Sequence, residues 1–291
     1  MPDGILIVDK PADWTSMDVC AKLRGIFHEK RIGHGGTLDP MATGVLPVFI
    51  GHATKAVEFA EKSDKEYVAG IRLGVITDTQ DSSGTVLEEH PVTVSREDLQ
   101  SVLPHFTGEI LQTPPMYSAI KIQGKKLYEL ARKGREIERP ARPITIHKLE
   151  LEESNALAPN EYILRIQCSK GTYVRTLCHD IGQALGCGAV MFSLRRTMAC
   201  GFSLKNSYSL DAIQAAEDPS AFLLPVDSFF SSYPALTLSH SDEKKVRNGV
   251  ALRKQDLPNG IYRLYGAENA FLSVSHCENG NLKSMKNFFG A

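Results

Sequence analysis

Between His34 and Gly44 the chain reads HGGTLDPMATG, and the apolar run VLPVFIG follows at once. Gly35, Gly36 and Gly44 admit backbone angles that other residues avoid, and Asp39-Pro40 favours turn initiation. The apolar run reads as a strand, so Asp39 sits where a glycine-rich loop feeds a sheet. Such a place can hold a carboxylate rigidly beside a substrate. It can equally be an ordinary turn whose aspartate bonds its own backbone.

The elements around this junction alternate. GILIV is a short apolar strand, and TSMDVCAKLRGIFH is a helix with an N-cap at Thr15 or Ser16 and apolar residues at Val19, Leu23, Ile26 and Phe27. ATKAVEFAEK is a short helix, KEYVAGIRLG a strand and TDTQDSSG a polar turn. Ser95 and Asp98 have the spacing of a capping box at the start of SREDLQSVLPHF. YSAIKI, KKLYELARKG and RPITIHKLELEE give strand, helix and strand, with Gly134 stopping the helix. EYILRIQCS is a strand, GTYVRTLCHDIGQALG a helix ended by Gly186, AVMFSLRRTMA a strand and SLDAIQAAE a helix capped by Ser209. Because many strands are joined by hairpin-like turns, the pattern predicts an α+β fold with a largely antiparallel mixed sheet and flanking helices.

LPVDSFFSSYP reads as a linker, which divides the 291 residues into a body over 1–230 and a tail over 231–291. LTL, a charged helix at SDEKKVRNG, GIYRLY and FLSVSHC with an Asn279-Gly280 hairpin signal make that tail β-rich. It is too small to stand alone and is expected to lean on the body.

Several function classes are excluded. No apolar run approaches the roughly 20 residues needed to cross a bilayer, and MPDGILIVDKP lacks the features of a secretion signal. Cys20, Cys168, Cys178, Cys187, Cys200 and Cys277 form no CxxC pair, so they read as buried, reduced thiols of a cytoplasmic protein. No phosphate-binding glycine motif, no HExxH and no G-x-S-x-G elbow is present, so no nucleotide cofactor and no metal is implied. Any catalysis must run on side chains alone.

A net charge of −1 argues against a nucleic-acid partner, but the charge is unevenly spread. Lys121, Lys125, Lys126, Arg132, Lys133, Arg135, Arg139 and Arg142 face only Glu129, Glu136 and Glu138 within the same stretch. Such a run is an RNA-binding surface or simply a solvated face. Arg175, in the first turn of its helix, places a planar donor fork where anions are favoured; its ordinary alternative is a solvent-facing arginine. Tyr67 is ordinarily a core aromatic and His34 a loop hydrogen-bonder, and Leu194 and Lys10 carry no signal alone.

Together these pieces resemble one family. VDKPADWTS, GHGGTLDPMATGVLPVFIG, KEYVAGIRLG, QTPPMYSAIKIQGKKLYELARKG, SKGTYVRTLCHDIG and SLRRT are similar to the successive motifs of the TruB family of pseudouridine synthases, in order over residues 8–197. The resemblance implies a pseudouridine synthase catalytic domain that isomerises uridine 55 in the T-loop of tRNA. It makes Asp39 the nucleophile, Arg175 the arginine that pairs with it, and Tyr67 the aromatic that stacks on the flipped-out base. His34, Tyr173 and Leu194 match pocket-lining positions, and Lys10 matches a lysine that supports the site. The basic segment, about residues 119–145, falls where the family carries an RNA-gripping insertion, so Lys121, Lys125, Lys126, Arg132, Lys133 and Arg142 would touch phosphate. The resemblance fades after about residue 200, and the tail matches a PUA-like RNA-binding domain by position and β-rich pattern.

On this resemblance the chain works as a monomer on the T-arm of tRNA, with no cofactor, no membrane and no obligatory protein partner. Two departures stand out: Asp13 and Cys200 occupy positions where glycine is usual. The rival readings are an RNA-binding chaperone that folds tRNA without turnover and a guide-RNA-dependent subunit, whose longer lysine-rich ends this chain lacks. A third is a carboxylate glycoside hydrolase, which needs a second carboxylate about 5–10 Å from Asp39; no motif nominates one.

Overall fold

In the computed structural model, which describes residues 2–118, 120–122, 124–153 and 157–289, the apolar runs become the centre of one large sheet. Its first strands are β1 (Gly4–Lys10), β2 (Ile32–His34), β3 (Thr43–Ile50) and β4 (Lys65–Leu73). A separate hairpin, β5 (Val75–Thr77) and β6 (Val86–Glu89), precedes β7 (Gly108–Gln112), and a two-stranded ribbon, β8 (Lys121–Ile122) and β9 (Lys125–Lys126), follows. β10 (Arg142–Glu152), β11 (Glu161–Cys168), β12 (Ala189–Ala199) and β13 (Phe202–Ser203) complete the sheet.

The strand order is β1-β3-β12-β4-β11-β10-β7, with β2 beside β3 and β13 beside β12. Every pairing is antiparallel except β3 with β12, where Arg195 and Arg196 run parallel to Thr43 and Gly44. The expected largely antiparallel mixed sheet is therefore present. GILIVDK and TGVLPVFI are apolar almost throughout because both faces of β1 and β3 are covered.

Helix starts follow the capping chemistry. α1 (Ser16–Phe27) begins at Thr15, whose hydroxyl accepts from the Asp18 N–H while the Asp18 carboxylate accepts from the Thr15 N–H. Beyond the short α2 (Val57–Ala60), Ser95 and Asp98 repeat that reciprocal cap on α3 (Arg96–Val102). α4 (Leu127–Ala131) is followed by Gly134 at φ +65°. α5 (Val174–Ala184) lays Val174, Leu177, Cys178 and Ile181 on the sheet against Tyr67, Ala69 and Ile71. Each such aliphatic side chain contributes about 1.5–3 kcal/mol by leaving water. α6 (Leu210–Ala215) starts at Ser209, as expected, and α7 (His240–Arg247) starts at Ser239.

The tail forms a second sheet from β14 (Ala235–Thr237), β15 (Leu252–Arg253), β16 (Gly260–Tyr265), β17 (Phe271–Glu278) and β18 (Asn281–Asn287), in the order β14-β16-β17-β18-β15. Asn279 and Gly280 both take positive φ between β17 and β18, the geometry the hairpin signal predicts. Phe230, Val274 and Phe288 share one apolar cluster with Ile5, Ile7, Val45 and Phe49, so the small sheet leans on the large one.

Some elements escaped the sequence reading. β2 is three residues long, β6 is exposed along its whole length, and β7 is an edge strand. The strand expected at YSAIKI shrinks to Lys121–Ile122, because only the two-residue β9 pairs with it; Ala119 lies outside the described residues. Asp13 and Cys200 stand at φ +65° and +58°, so both positions do require the left-handed backbone that glycine supplies. All six cysteines are free and buried. Among the described residues no helix is long and apolar enough to cross a membrane.

Candidate active site

Asp39 lies in the loop between β2 and β3, and side chains from three other elements fix that loop. Lys10, wholly buried, donates from Nζ to the carbonyls of Pro11 (2.8 Å), Trp14 (2.6 Å) and Pro40 (3.1 Å), tying the loop to the end of β1. The Ser16 hydroxyl accepts from the Leu38 N–H at 2.9 Å. Arg196 on β12 donates to the carbonyls of Gly36 (3.1 Å) and Val45 (2.7 Å), one on each side of Asp39. Gly44 has φ +101°, and a Cβ there would stand 2.2 Å from the Arg196 carbonyl oxygen. The glycine is required because two backbones touch.

Arg175 reaches Asp39 from the first turn of α5. Its Nη2 lies 2.8 Å from Asp39 Oδ2, and its Nη1 lies 3.5 Å from Oδ2 of a second carboxylate, Asp81. A cation at a helix N-terminus is opposed by the helix dipole, and these two carboxylates offset that. The sequence reading had no place for Asp81: TDTQDSSG is the turn it predicted, but this aspartate is 3% exposed. Its Oδ1 accepts from the Thr79 hydroxyl (2.8 Å), the Ser83 N–H (3.0 Å) and the Ser83 hydroxyl (2.5 Å). Thr176 donates to Gln80 at 2.7 Å, so the turn docks on α5 at two adjacent residues. A second carboxylate, which no sequence motif nominates, therefore acts on Asp39 from the other side of Arg175. It is buried, with Arg175 on one oxygen and three donors on the other, which suits it to hold the arginine and leaves it poorly placed as a hydrolase acid.

Burial pushes the Asp39 carboxyl above its ordinary value; Arg175 and Lys10 pull it down, and Asp81 adds to the rise. The site thus balances desolvation against one directly bonded cation. Burial lowers Lys10 to about 8.

Beside the charged groups is an apolar floor. Tyr67 on β4 and Leu194 on β12 join Leu38, Ala42 and Val174 in one cluster, with Met41 packed against it. Burial raises the Tyr67 phenol; Arg196 acts against that rise, and Asp39 adds to it. Tyr173 caps α5, held on both backbone groups by Gln112, which accepts from its N–H at 2.8 Å and donates to its carbonyl at 3.1 Å. His34 ends β2; burial lowers its pKa, and the charges that act on it are Arg196 and Glu61. Its Nδ1 is buried without a hydrogen-bond partner among the described residues. Asp39, Arg175, Tyr67, Leu194 and Lys10 thus meet at one place. Asp81, Gln112, Ser16 and Arg196 belong to it without having been foreseen.

The chain leaves the sheet after Gln112 and returns at Arg142, which pairs with Gln112. This excursion carries the basic stretch: Lys121, Lys125, Arg132, Lys133 and Arg142 are exposed, and the Lys126 side chain lies outside the described residues. The Arg132 guanidinium sits over the Tyr128 ring, 5.4 Å from its centroid. Arg142 is close enough to act on the Tyr173 phenol, so the base of the excursion adjoins the site. A cavity of about 570 Å³ between the excursion and the far side of α5 is lined by Tyr117, Arg139, His179 and Asp180, and does not include Asp39, Arg175 or Tyr67. Among the described residues no group of three His, Cys, Asp or Glu side chains could hold a metal ion.

Comparison with known proteins gives a consistent picture. Residues 24–174 match the description "TruB family pseudouridylate synthase (N terminal domain)", and residues 175–231 match "tRNA pseudouridylate synthase B C-terminal domain". Proteins named tRNA pseudouridine synthase B are similar over nearly the whole chain. The one from Azoarcus sp. (strain BH72) is 45% identical, over 97% of this chain and 93% of its own. The one from Clostridium kluyveri is 39% identical, over 98% and 99%. Among solved structures, a chain of a Cbf5-Nop10-Gar1 complex superposes with a TM-score of 0.75 at 24% identity, over 98% of this chain and 85% of that one. That likeness concerns the fold.

Proposed function

Because the chain belongs to the TruB family of pseudouridylate synthases and is a tRNA pseudouridine synthase, an isomerase, we propose that it converts uridine 55 of the tRNA T-loop with Asp39 as nucleophile and no cofactor. The observation that carries this reading is the run Asp39–Arg175–Asp81, at 2.8 and 3.5 Å, beside the apolar floor of Tyr67 and Leu194. Isomerisation breaks the N1–C1′ bond, turns the uracil, joins C5 to C1′ and releases the C5 proton. Asp39 in its charged form, which Arg175 favours and burial opposes, supplies the charge that opens the glycosidic bond. The target base leaves the RNA stack to reach it and stacks on Tyr67, with Leu194 below and His34 and Tyr173 at the edge.

Lys121, Lys125, Lys126, Arg132, Lys133 and Arg142 grip the RNA backbone from the excursion. Residues 231–291 act as a PUA-like second RNA contact to the body of residues 1–230. The enzyme works as a cytoplasmic monomer, without a guide RNA.

The test is tritium release from tRNA labelled at C5 of uridine, by the wild type and Asp39→Asn together. C5 loses its hydrogen only on becoming the new glycosidic carbon. Release by the wild type alone supports Asp39 as nucleophile. Equal release by both removes it, and RNA binding without release by either favours the chaperone.

A further inference from the structure

Arg196 is 1% exposed and is the largest of the fully buried side chains. Burying a guanidinium costs several kcal/mol unless its donors are matched, and an apolar residue would pack such a place more cheaply. Among the described residues it forms no ion pair; its partners are carbonyl oxygens. Nε donates to Val45 at 2.7 Å and Nη2 to Gly36 at 3.1 Å. The same guanidinium acts on the Tyr67 phenol, against the rise that burial causes. The backbone adds two further links, since Arg196 sits opposite Tyr67 in the β12–β4 ladder and opposite Gly44 in the β12–β3 ladder. One residue thus holds both ends of the loop that carries Asp39 through its side chain and stands cross-strand from the aromatic on the other side of the site.

We propose that Arg196 is a positioning residue for the isomerisation: it sets the Asp39 loop against the Tyr67 ring and orients the Tyr67 hydroxyl. The inference rests on the reading of Asp39 and Tyr67 given above. Arginine has donors and no acceptor, so a hydrogen bond between the two runs from the guanidinium to the phenol oxygen. The phenol hydrogen then cannot point back at Arg196 and is aimed elsewhere in the site. The guanidinium also works against the burial that raises the phenol, which keeps the hydroxyl more acidic than its surroundings alone would leave it. Lysine cannot replace this, because a single ammonium does not span a fork of separate acceptors.

The test is a double-mutant cycle on single-turnover tritium release, with tRNA affinity measured alongside. Arg196→Lys is expected to slow release about 100-fold, the scale of a misplacement near 1 Å. Its affinity for tRNA should stay within about twofold, because a side chain this buried has no surface to offer RNA. In the Tyr67→Phe background the same change should cost only about 10-fold, since part of its effect passes through the missing hydroxyl.

Fully multiplicative losses, or an affinity loss as large as the rate loss, overturn the role of Arg196 and leave Asp39 and Tyr67 standing. An unchanged rate in Tyr67→Phe removes any role for the hydroxyl and overturns this inference, while the stacking role of the Tyr67 ring stands. Should Arg196→Lys fail to fold, the cycle is replaced by ¹⁵N spectra of the arginine Nε–H groups in the wild type and Tyr67→Phe. The Arg196 signal should be protected from solvent exchange and should move when the Tyr67 hydroxyl is removed; a signal that stays in place overturns the inference.

Discussion

Replacing Asp81 by asparagine changes one atom in a buried turn, yet it should disable the site. Oδ1 of Asp81 takes three donors, from Thr79 and Ser83, so an asparagine must keep its carbonyl oxygen there. Its amide nitrogen then occupies the place of Oδ2, facing Arg175 Nη1 at 3.5 Å, donor against donor. The charge-assisted contact is long, and losing it costs about 1–2 kcal/mol; the unmatched buried donor adds about 1–2 more. The sum, about 2–4 kcal/mol, lowers the melting temperature by about 3–7 °C for a chain of this size. Arg175 loses one of its two anchors, and a shift of about 1 Å in the group that holds Asp39 slows turnover about 100-fold. Asp81 also raises the Asp39 carboxyl, so its neutralisation should move the acid limb of the rate–pH profile to lower pH. Single-turnover tritium release from pH 4 to 8, with thermal melts of the same samples, reads all three effects. A lowered melting temperature with a wild-type rate and an unmoved acid limb would refute the reasoning, because Asp81 would then serve only the fold.

Three further outcomes follow from the geometry. Lys10, lowered to about 8, satisfies three carbonyls only as an ammonium, so turnover should fall as pH rises through 8. Stability should move the other way between pH 8 and 10.5, where the unfolded chain holds a proton that the folded one has lost; pH series of rates and melts on wild type and Lys10→Met would show whether both trends belong to this residue. Gly44→Ala drives a Cβ to 2.2 Å from a backbone oxygen at a positive φ and should cost about 3 kcal/mol or more, whereas Gly25→Ala, with nothing within 4 Å, should stabilise α1 by up to about 1 kcal/mol; denaturant titration separates them. Neutralising Lys125, Lys126 and Arg132 together should reduce the slope of log affinity for tRNA against log salt by about 2–3, and an unchanged slope would take the excursion out of the interface.

Much of the fold could be read from the sequence because it rests on local chemistry. The caps at Thr15 and Ser95, the Asn279-Gly280 turn and the doubly covered β1 and β3 are each settled within a few residues. The site is another matter, because its partners come from distant segments. No spacing rule joins Asp39 to Arg175; only a resemblance carried by ordered motifs proposed that pair, which the structure places at 2.8 Å.

Asp81 was hidden for a more instructive reason. Its donors Thr79 and Ser83 are its neighbours, and an Asp with Ser two residues on is the pattern of an exposed turn. What makes it a buried carboxylate instead is Arg175, far along the chain. Arg196 presents the same difficulty within a dipeptide. In a strand, Arg195 and Arg196 face opposite ways, so one meets Asp9 at a half-exposed edge while the other is enclosed among carbonyls. Composition cannot tell which of the two turns inward; the register of β12 against β3 and β4 decides it. A one-residue slip in that register would bring Arg195 in beside Tyr67 and carry Arg196 to the edge. Sheet register and active-site charge are therefore one property of this chain, and Gly44, which lets β3 approach the Arg196 backbone, is where the two are joined.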